Sequence, residues 1–212
     1  MLRIGVTGGI GSGKSFVCKR LEAMGFPIFY SDAVSKKLMN EDESIKKMLI
    51  EILGNECYTE EGLLNRPFVA QKLFQDQDIK KRIEAIVHPR VAQAFAEWAE
   101  DQNSPFVFVE SAILYESGFD QFVDKVIMVD ADLEIRINRT MQRDICSKAQ
   151  AIERIQAQMD SQVIRKKANY ILENNPSQYR RKSTKDKAAL LDVMDKVCYA
   201  STDTHFNNME LK

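Results

Sequence analysis

The run Gly8-Gly9-Ile10-Gly11-Ser12-Gly13-Lys14-Ser15 matches the spacing G-x-x-x-x-G-K-[ST] in full. Its context fits as well. The apolar stretch Leu2 to Val6 reads as a buried strand, and Phe16, Val17, Leu21 and Met24 recur at helical spacing behind it. Glycines between a strand and a helix let the backbone curl until successive N–H groups converge on a concave nest for phosphate oxygens. The positive end of the helix points at the same place. Lys14 supplies a mobile ammonium for the β- and γ-phosphates of ATP, and the Ser15 hydroxyl is positioned to ligate Mg²⁺. The N–H groups of Ser15 and Phe16 face the α- and β-phosphates. Residues Gly8, Gly9, Ile10, Gly11, Ser12, Gly13, Lys14, Ser15 and Phe16 therefore form the expected nucleotide site. A strand-to-helix turn that binds nothing explains such a pattern poorly.

Bound nucleotide serves motors, switches and phosphoryl donors alike. The D-x-x-G and N-K-x-D signatures of GTPase switches occur nowhere in the chain. A donor site needs a carboxylate beside the acceptor hydroxyl and cations around the transferring group. Asp32 follows the second apolar run, Pro27 to Tyr30, at the edge where parallel sheets place ligands. As a general base it would contribute roughly 10²–10⁴-fold; its other reading is an N-cap for a helix from Ala33. Arg136, Arg139 and Arg143 lie three and four residues apart on one helix face. That face either closes over ATP, stabilising developing charge, or is simply solvated. Glu110, ending the run Phe106 to Val109, either holds Mg²⁺ through water, meets the acceptor, or is a plain strand-end carboxylate.

These groups need a scaffold of alternating strands and helices, which implies an α/β fold with a parallel sheet. Unbroken runs at Phe106–Val109 and Val126–Val129 suit strands buried on both faces. Tyr170 to Leu172 is the expected last strand. From Ala33 to Glu100 the apolar residues recur at helical spacing, with Gly54 as a stop and Asn65 capping the helix that Arg66-Pro67 begins. Separate helices are expected near Ile79–Ile86 and Val91–Glu100. Helices are also expected at Asp132–Met141, Ser147–Met159, Gln162–Ala168 and Lys185–Cys198, before a loose polar tail from Ala200 to Lys212. One domain of 1–212 follows, with core segments 1–32, 101–138 and 169–199 and a helical insertion over 33–100.

A chain of 212 residues with 44% hydrophobic and 29% charged residues has an ordinary globular balance. A net charge of −1 offers no global field for nucleic acid, and no apolar run approaches the ~20 residues of a membrane helix. Cys18, Cys57, Cys146 and Cys198 form no C-x-x-C pair, and no signal-peptide pattern opens the chain. The expectation is a cytoplasmic protein without disulfides, a monomer or weak homo-oligomer.

The sequence resembles the dephospho-CoA kinase family up to about Asn175. The resemblance rests on the loop Thr7–Ser15, Ser31-Asp32, Val87-His88-Pro89 and Ile113-Leu114-Tyr115-Glu116. It continues with R-T-M-Q-R-D at Arg139–Asp144, the Arg154–Met159 stretch and Lys167–Asn174. It implies a P-loop kinase fold with a five-stranded parallel sheet, a CoA-binding role for 33–100 and a lid over 139–168. It also implies transfer of the ATP γ-phosphate to the ribose 3′-hydroxyl of dephospho-CoA with Mg²⁺. It casts Asp32 as the catalytic carboxylate, Lys14 and Arg139 as phosphate stabilisers, and Arg143 as a lid contact. Thr7, Asp32, His88, Glu110 and Leu114 fall on the acceptor side, where His88-Pro89 is alternatively a helix-ending turn. Tyr30, Glu110-Ser111-Ala112, Asn169 and Glu173 depart from the family pattern. The other readings are a nucleoside monophosphate or shikimate-type kinase, or a nucleotide-binding regulator without turnover.

Overall fold

The computed structural model describes residues 1–175 together with Asp192. The expected helix Lys185–Cys198 and the tail from Ala200 lie outside the described residues, Asp192 excepted.

Five parallel strands, β1 (Leu2–Thr7), β2 (Ile28–Tyr30), β3 (Phe106–Glu110), β4 (Lys125–Asp130) and β5 (Tyr170–Glu173), form one sheet in the order β2-β3-β1-β4-β5. The central position of β1 follows from its side chains. Ile4 and Val6 are fully buried on one face with Val17 and Leu21 of α1 (Lys14–Ala23). On the other face Gly5 leaves room for Leu114. Because side chains alternate along a strand, Thr7 shares the face of Gly5, and Glu110 shares that of Phe106 and Phe108. The chain order reverses between β1 and β3, so their carboxyl ends open a crevice at the switch point.

The expected insertion is helical: α2 (Ser31–Glu41), α3 (Glu43–Leu53), α4 (Arg66–Gln75) and α5 (Gln77–Glu100). Its only pairing of strand type is a single antiparallel bridge between Tyr58 and Leu64. Local chemistry sets the boundaries. Asp42 accepts from the N–H groups of Ser44 and Ile45, Gly54 ends α3 at φ 86°, and Asn65 accepts from Phe68 N–H. The apolar faces cover the sheet around Phe29, Val107 and Val109.

One expectation needs correction. The helices expected near Ile79–Ile86 and Val91–Glu100 are one continuous α5 that runs through Pro89, so His88-Pro89 ends no helix. A proline inside a helix costs about 3 kcal/mol. Burying each aliphatic or aromatic core side chain returns roughly 1.5–3 kcal/mol, and Ile83, Val87, Val91 and Phe95 all lie on one buried stripe spanning the proline. The stripe wins.

After β4 the chain forms α6 (Leu133–Asp144), α7 (Lys148–Gln156) and α8 (Ser161–Lys167). Ser147 and Gln150 close a capping box at α7, and Asp160 caps α8 through Gln162 N–H. Two departures from the family pattern have local partners. Asn169 Oδ1 accepts from Val126 N–H at 2.8 Å, aligning β5 beside β4, and Glu173 accepts from Arg165 at 2.7 Å. Cys18, Cys57 and Cys146 are free thiols. No helix among the described residues is long and apolar enough to cross a membrane.

Candidate active site

The glycine loop joins β1 to α1, and its shape is set as much by what lies beneath it as by its own residues. Gly13 adopts φ 99°, and a Cβ there would overlap Asn174 Nδ2; a Cβ at Gly9 would overlap the Arg136 guanidinium. Only glycine fits between these side chains and the loop. Asn174 donates to Ser12 O at 2.7 Å. Arg139 donates to Gly11 O and Ser12 O at 3.2 Å and to Asn174 O at 3.0 Å. The hydroxyls of Thr7 and Ser12 are buried, with no hydrogen-bond partner among the described residues, a costly condition that tends to be kept where a site needs it.

Lys14 is nearly buried at the start of α1 and donates from Nζ to Gly8 O at 2.7 Å. Burial lowers its pKa, opposed by the nearby Glu110 carboxylate. A pocket of about 270 Å³ opens here, lined by Gly11, Gly13, Lys14, Ser15, Arg139 and Arg143. Two loop amides differ from expectation. Ile10 N–H donates to Gln158 Oε1 at 2.7 Å, and Phe16 N–H donates to Gly13 O at 3.1 Å within the first turn of α1.

Across the sheet edge, Ser31 Oγ donates to Glu110 O at 2.8 Å and so pins the start of α2 to the end of β3. Asp32 lies in the first turn of α2; the N-cap position belongs to Tyr30, so Asp32 is no cap. Its carboxylate is 71% exposed and 3.8 Å from Lys36. A second, narrower pocket gathers Asp32, Ser35, His88, Ser111 and Ile113. His88 is half-buried, which lowers its pKa against the opposing pull of Glu84. Glu110 lines neither pocket but interacts with both Lys14 and Asp32: burial raises its pKa most, Lys14 lowers it, and Asp32 raises it again.

Other expected residues separate. Leu114 is fully buried in the core against Gly5 and cannot contact an acceptor; its neighbour Ile113 reaches the pocket instead. In the turn that follows β3 the core takes Leu114 and leaves Ile113 partly exposed. Thr7 is buried at the end of β1, outside the lining of the acceptor pocket. The three arginines of α6 also diverge. Arg136 is buried under the loop, with its guanidinium on Ile10 O at 3.0 Å and Ser161 Oγ at 2.7 Å. Arg143 alone is mostly exposed, paired in fork geometry with Asp144 at 2.7 and 3.0 Å. Asp144 also accepts from Arg154 Nη1 at 2.8 Å, so one carboxylate is shared by two guanidinium groups. Asn174 and Gln158 carry loop contacts that nothing in their residue types announced.

A cavity of about 540 Å³ lies elsewhere, between α6, α7 and α8. It shares Arg136 with the loop but is lined by neither Lys14, Ser15 nor Asp32.

A family model described as dephospho-CoA kinase matches residues 2–179. The chain belongs to the dephospho-CoA kinase family. Among curated relatives, dephospho-CoA kinase of Bacteroides fragilis is 39% identical over 175 residues, covering 82% of this chain and 85% of its own. Among solved structures, TT1252 of Thermus thermophilus superposes with a TM-score of 0.78 at 32% identity, over 94% of this chain and 97% of its own. Dephospho-CoA kinase from Campylobacter jejuni shares the fold at a TM-score of 0.66 and 24% identity, over 94% of this chain and 98% of its own. Membership makes this chain a kinase of the P-loop fold.

Proposed function

We propose that this chain transfers the γ-phosphoryl group of ATP to the ribose 3′-hydroxyl of dephospho-CoA, giving CoA and ADP in CoA biosynthesis. The observation that carries the reading is the pairing of two pockets at one sheet edge. One is floored by Lys14 and Ser15, the other is lined by Asp32 and His88, and Glu110 is close enough to feel both Lys14 and Asp32.

In this reading the loop amides and Lys14 hold the β- and γ-phosphates, where a nearly buried ammonium acts through a low local dielectric. Asp32, in the first turn of α2, accepts the proton of the attacking hydroxyl. Arg143 leaves Asp144 for the transferring phosphoryl, while Arg139 supports the loop from beneath and contributes positive charge to its rim. His88 and Ser35 orient the acceptor. Helices α2–α5, residues 33–100, supply the acceptor side, and 139–168 acts as the lid.

No group of three or more metal-ligating carboxylate, histidine or cysteine side chains occurs among the described residues. That suits Mg²⁺, which is held largely by substrate phosphates and water rather than by a protein cage. The Ser15 hydroxyl would ligate it and Glu110 would face it through water; the ion neutralises charge on the β- and γ-oxygens.

The test is ADP release from Mg-ATP with dephospho-CoA, nucleoside monophosphates and shikimate as separate acceptors. Turnover confined to dephospho-CoA supports the proposal; turnover with another acceptor, or with none, refutes it.

A further inference from the structure

Ile10 stands at the tip of the glycine loop, and both polar atoms of its main chain are gripped from far along the sequence. Its N–H donates to Gln158 Oε1 at 2.7 Å, and its carbonyl accepts from Arg136 Nε at 3.0 Å. Arg136 in turn donates from Nη1 to Ser161 Oγ at 2.7 Å. The loop tip is therefore held twice, directly by Gln158 of the turn between α7 and α8 and indirectly by Ser161 at the start of α8 through Arg136. The same turn is tied to the segment that follows β3. Met159 N–H donates to Glu116 Oε1 at 3.0 Å, and Gln158 Nε2 lies 3.5 Å from Ala112 O.

A phosphate nest works by aiming particular amides inward. The Ile10 amide is aimed outward, which fixes the orientation of that peptide and, through it, of the glycines on either side. Reversing it would strand a main-chain donor and a buried guanidinium away from their partners, and buried polar groups seldom forgo them.

We infer that Gln158 is a positioning residue for the phosphoryl donor: by fixing the Ile10 peptide it sets the loop in its phosphate-binding shape. The inference rests on the phosphoryl-transfer reading above. It makes ATP affinity depend on a side chain from the α7–α8 turn that does not itself line the phosphate pocket.

The experiment is steady-state kinetics of the full chain with ATP and dephospho-CoA, plus titration with a non-hydrolysable ATP analogue, for Gln158→Met and Gln158→Glu. Methionine keeps the length and loses the accepting oxygen; glutamate retains an acceptor. Loss of one main-chain hydrogen bond predicts an ATP KM raised about 5-fold or more, with the KM for dephospho-CoA within about 2-fold. The analogue should weaken by the same factor, and Gln158→Glu should restore ATP KM to within about 2-fold of the unmodified chain. An unchanged ATP KM in Gln158→Met, or a glutamate variant as impaired as the methionine one, overturns the inference. So does a loss confined to kcat and thermal stability, which a merely structural role would give. Should Gln158→Met fail to fold, Gln158→Leu removes the same accepting oxygen, and an unchanged analogue affinity there overturns it equally. Absence of turnover in the unmodified chain would refute the proposed function, whereas the analogue titration judges Gln158 on its own.

Discussion

Asn174 Nδ2 donates to Ser12 O at 2.7 Å, joining the residue after β5 to the phosphate loop across 162 positions of chain. Arg139 bridges the same two segments from α6. Strand β5, at the sheet edge, thus helps shape a loop two strands away.

Gly13→Ala tests that fit directly. Its φ of 99° is costly for any residue with a Cβ, and the added methyl would overlap Asn174 Nδ2. The backbone conformation alone costs about 1–3 kcal/mol. The expected outcome is a melting temperature lowered by several degrees, with ATP-analogue affinity weakened because relieving the overlap with Asn174 shifts the loop. Calorimetry and titration check it.

Asp32→Asn removes the proton acceptor and keeps the shape of the side chain. ATP-analogue affinity should stay within about 2-fold while kcat falls at least ~10²-fold. Because Asp32 is exposed and pairs only loosely with Lys36 at 3.8 Å, the substitution should leave thermal stability almost untouched, which separates chemistry from folding.

Lys14→Ala should raise the KM for ATP and lower kcat together. The ammonium meets the β- and γ-phosphates in both ground and transition states, and charge-assisted bonds of this sort are about twice as strong as neutral ones. Pre-steady-state measurement of ATP binding and of the chemical step separates the two effects.

Cys18 lies fully buried behind the loop, and burial first, then the Glu110 carboxylate, pushes its thiol up to about 12. At pH 8 that leaves roughly 1 in 10⁴ as the reactive thiolate. Iodoacetamide on the native chain should therefore modify the half-exposed Cys146 and spare Cys18 and Cys57, as read by peptide mass spectrometry. Raising the pH to 9 should not expose Cys18, because the fraction ionised stays far below one half.

Pro89→Ala would supply the N–H that α5 lacks at that position. Thermal stability should rise by about 1 kcal/mol or more, given the usual cost of proline inside a helix. The neighbouring His88 lines the acceptor pocket, so the KM for dephospho-CoA should rise while the KM for ATP holds. Kinetics with each substrate varied in turn distinguishes the two.

Most of the scaffold was readable from residue types because its signals are local. Apolar runs marked all five strands, and Gly25, Gly54 and Asn65 ended or began helices through their own backbone conformations. The glycine loop declared itself for the same reason. Continuity of α5 did not, because a proline is a local stop signal and the buried stripe that overrides it is tertiary. Arg136 read as one of three arginines that either face ATP or are solvated, since spacing reports the side of a helix, not what lies against it. Gln158 and Asn174 lie in stretches that carry the family resemblance, yet nothing there pointed to the loop. They bind main-chain atoms, which look alike in every residue, and lie more than 140 positions from their partners.

The most direct test is identification of the product by ³¹P NMR after incubation of the chain with Mg-ATP and dephospho-CoA. The account predicts a new phosphomonoester resonance at the ribose 3′ position, growing in step with ADP and absent with Asp32→Asn. A phosphate signal appearing instead as inorganic phosphate, with dephospho-CoA unchanged, would contradict it.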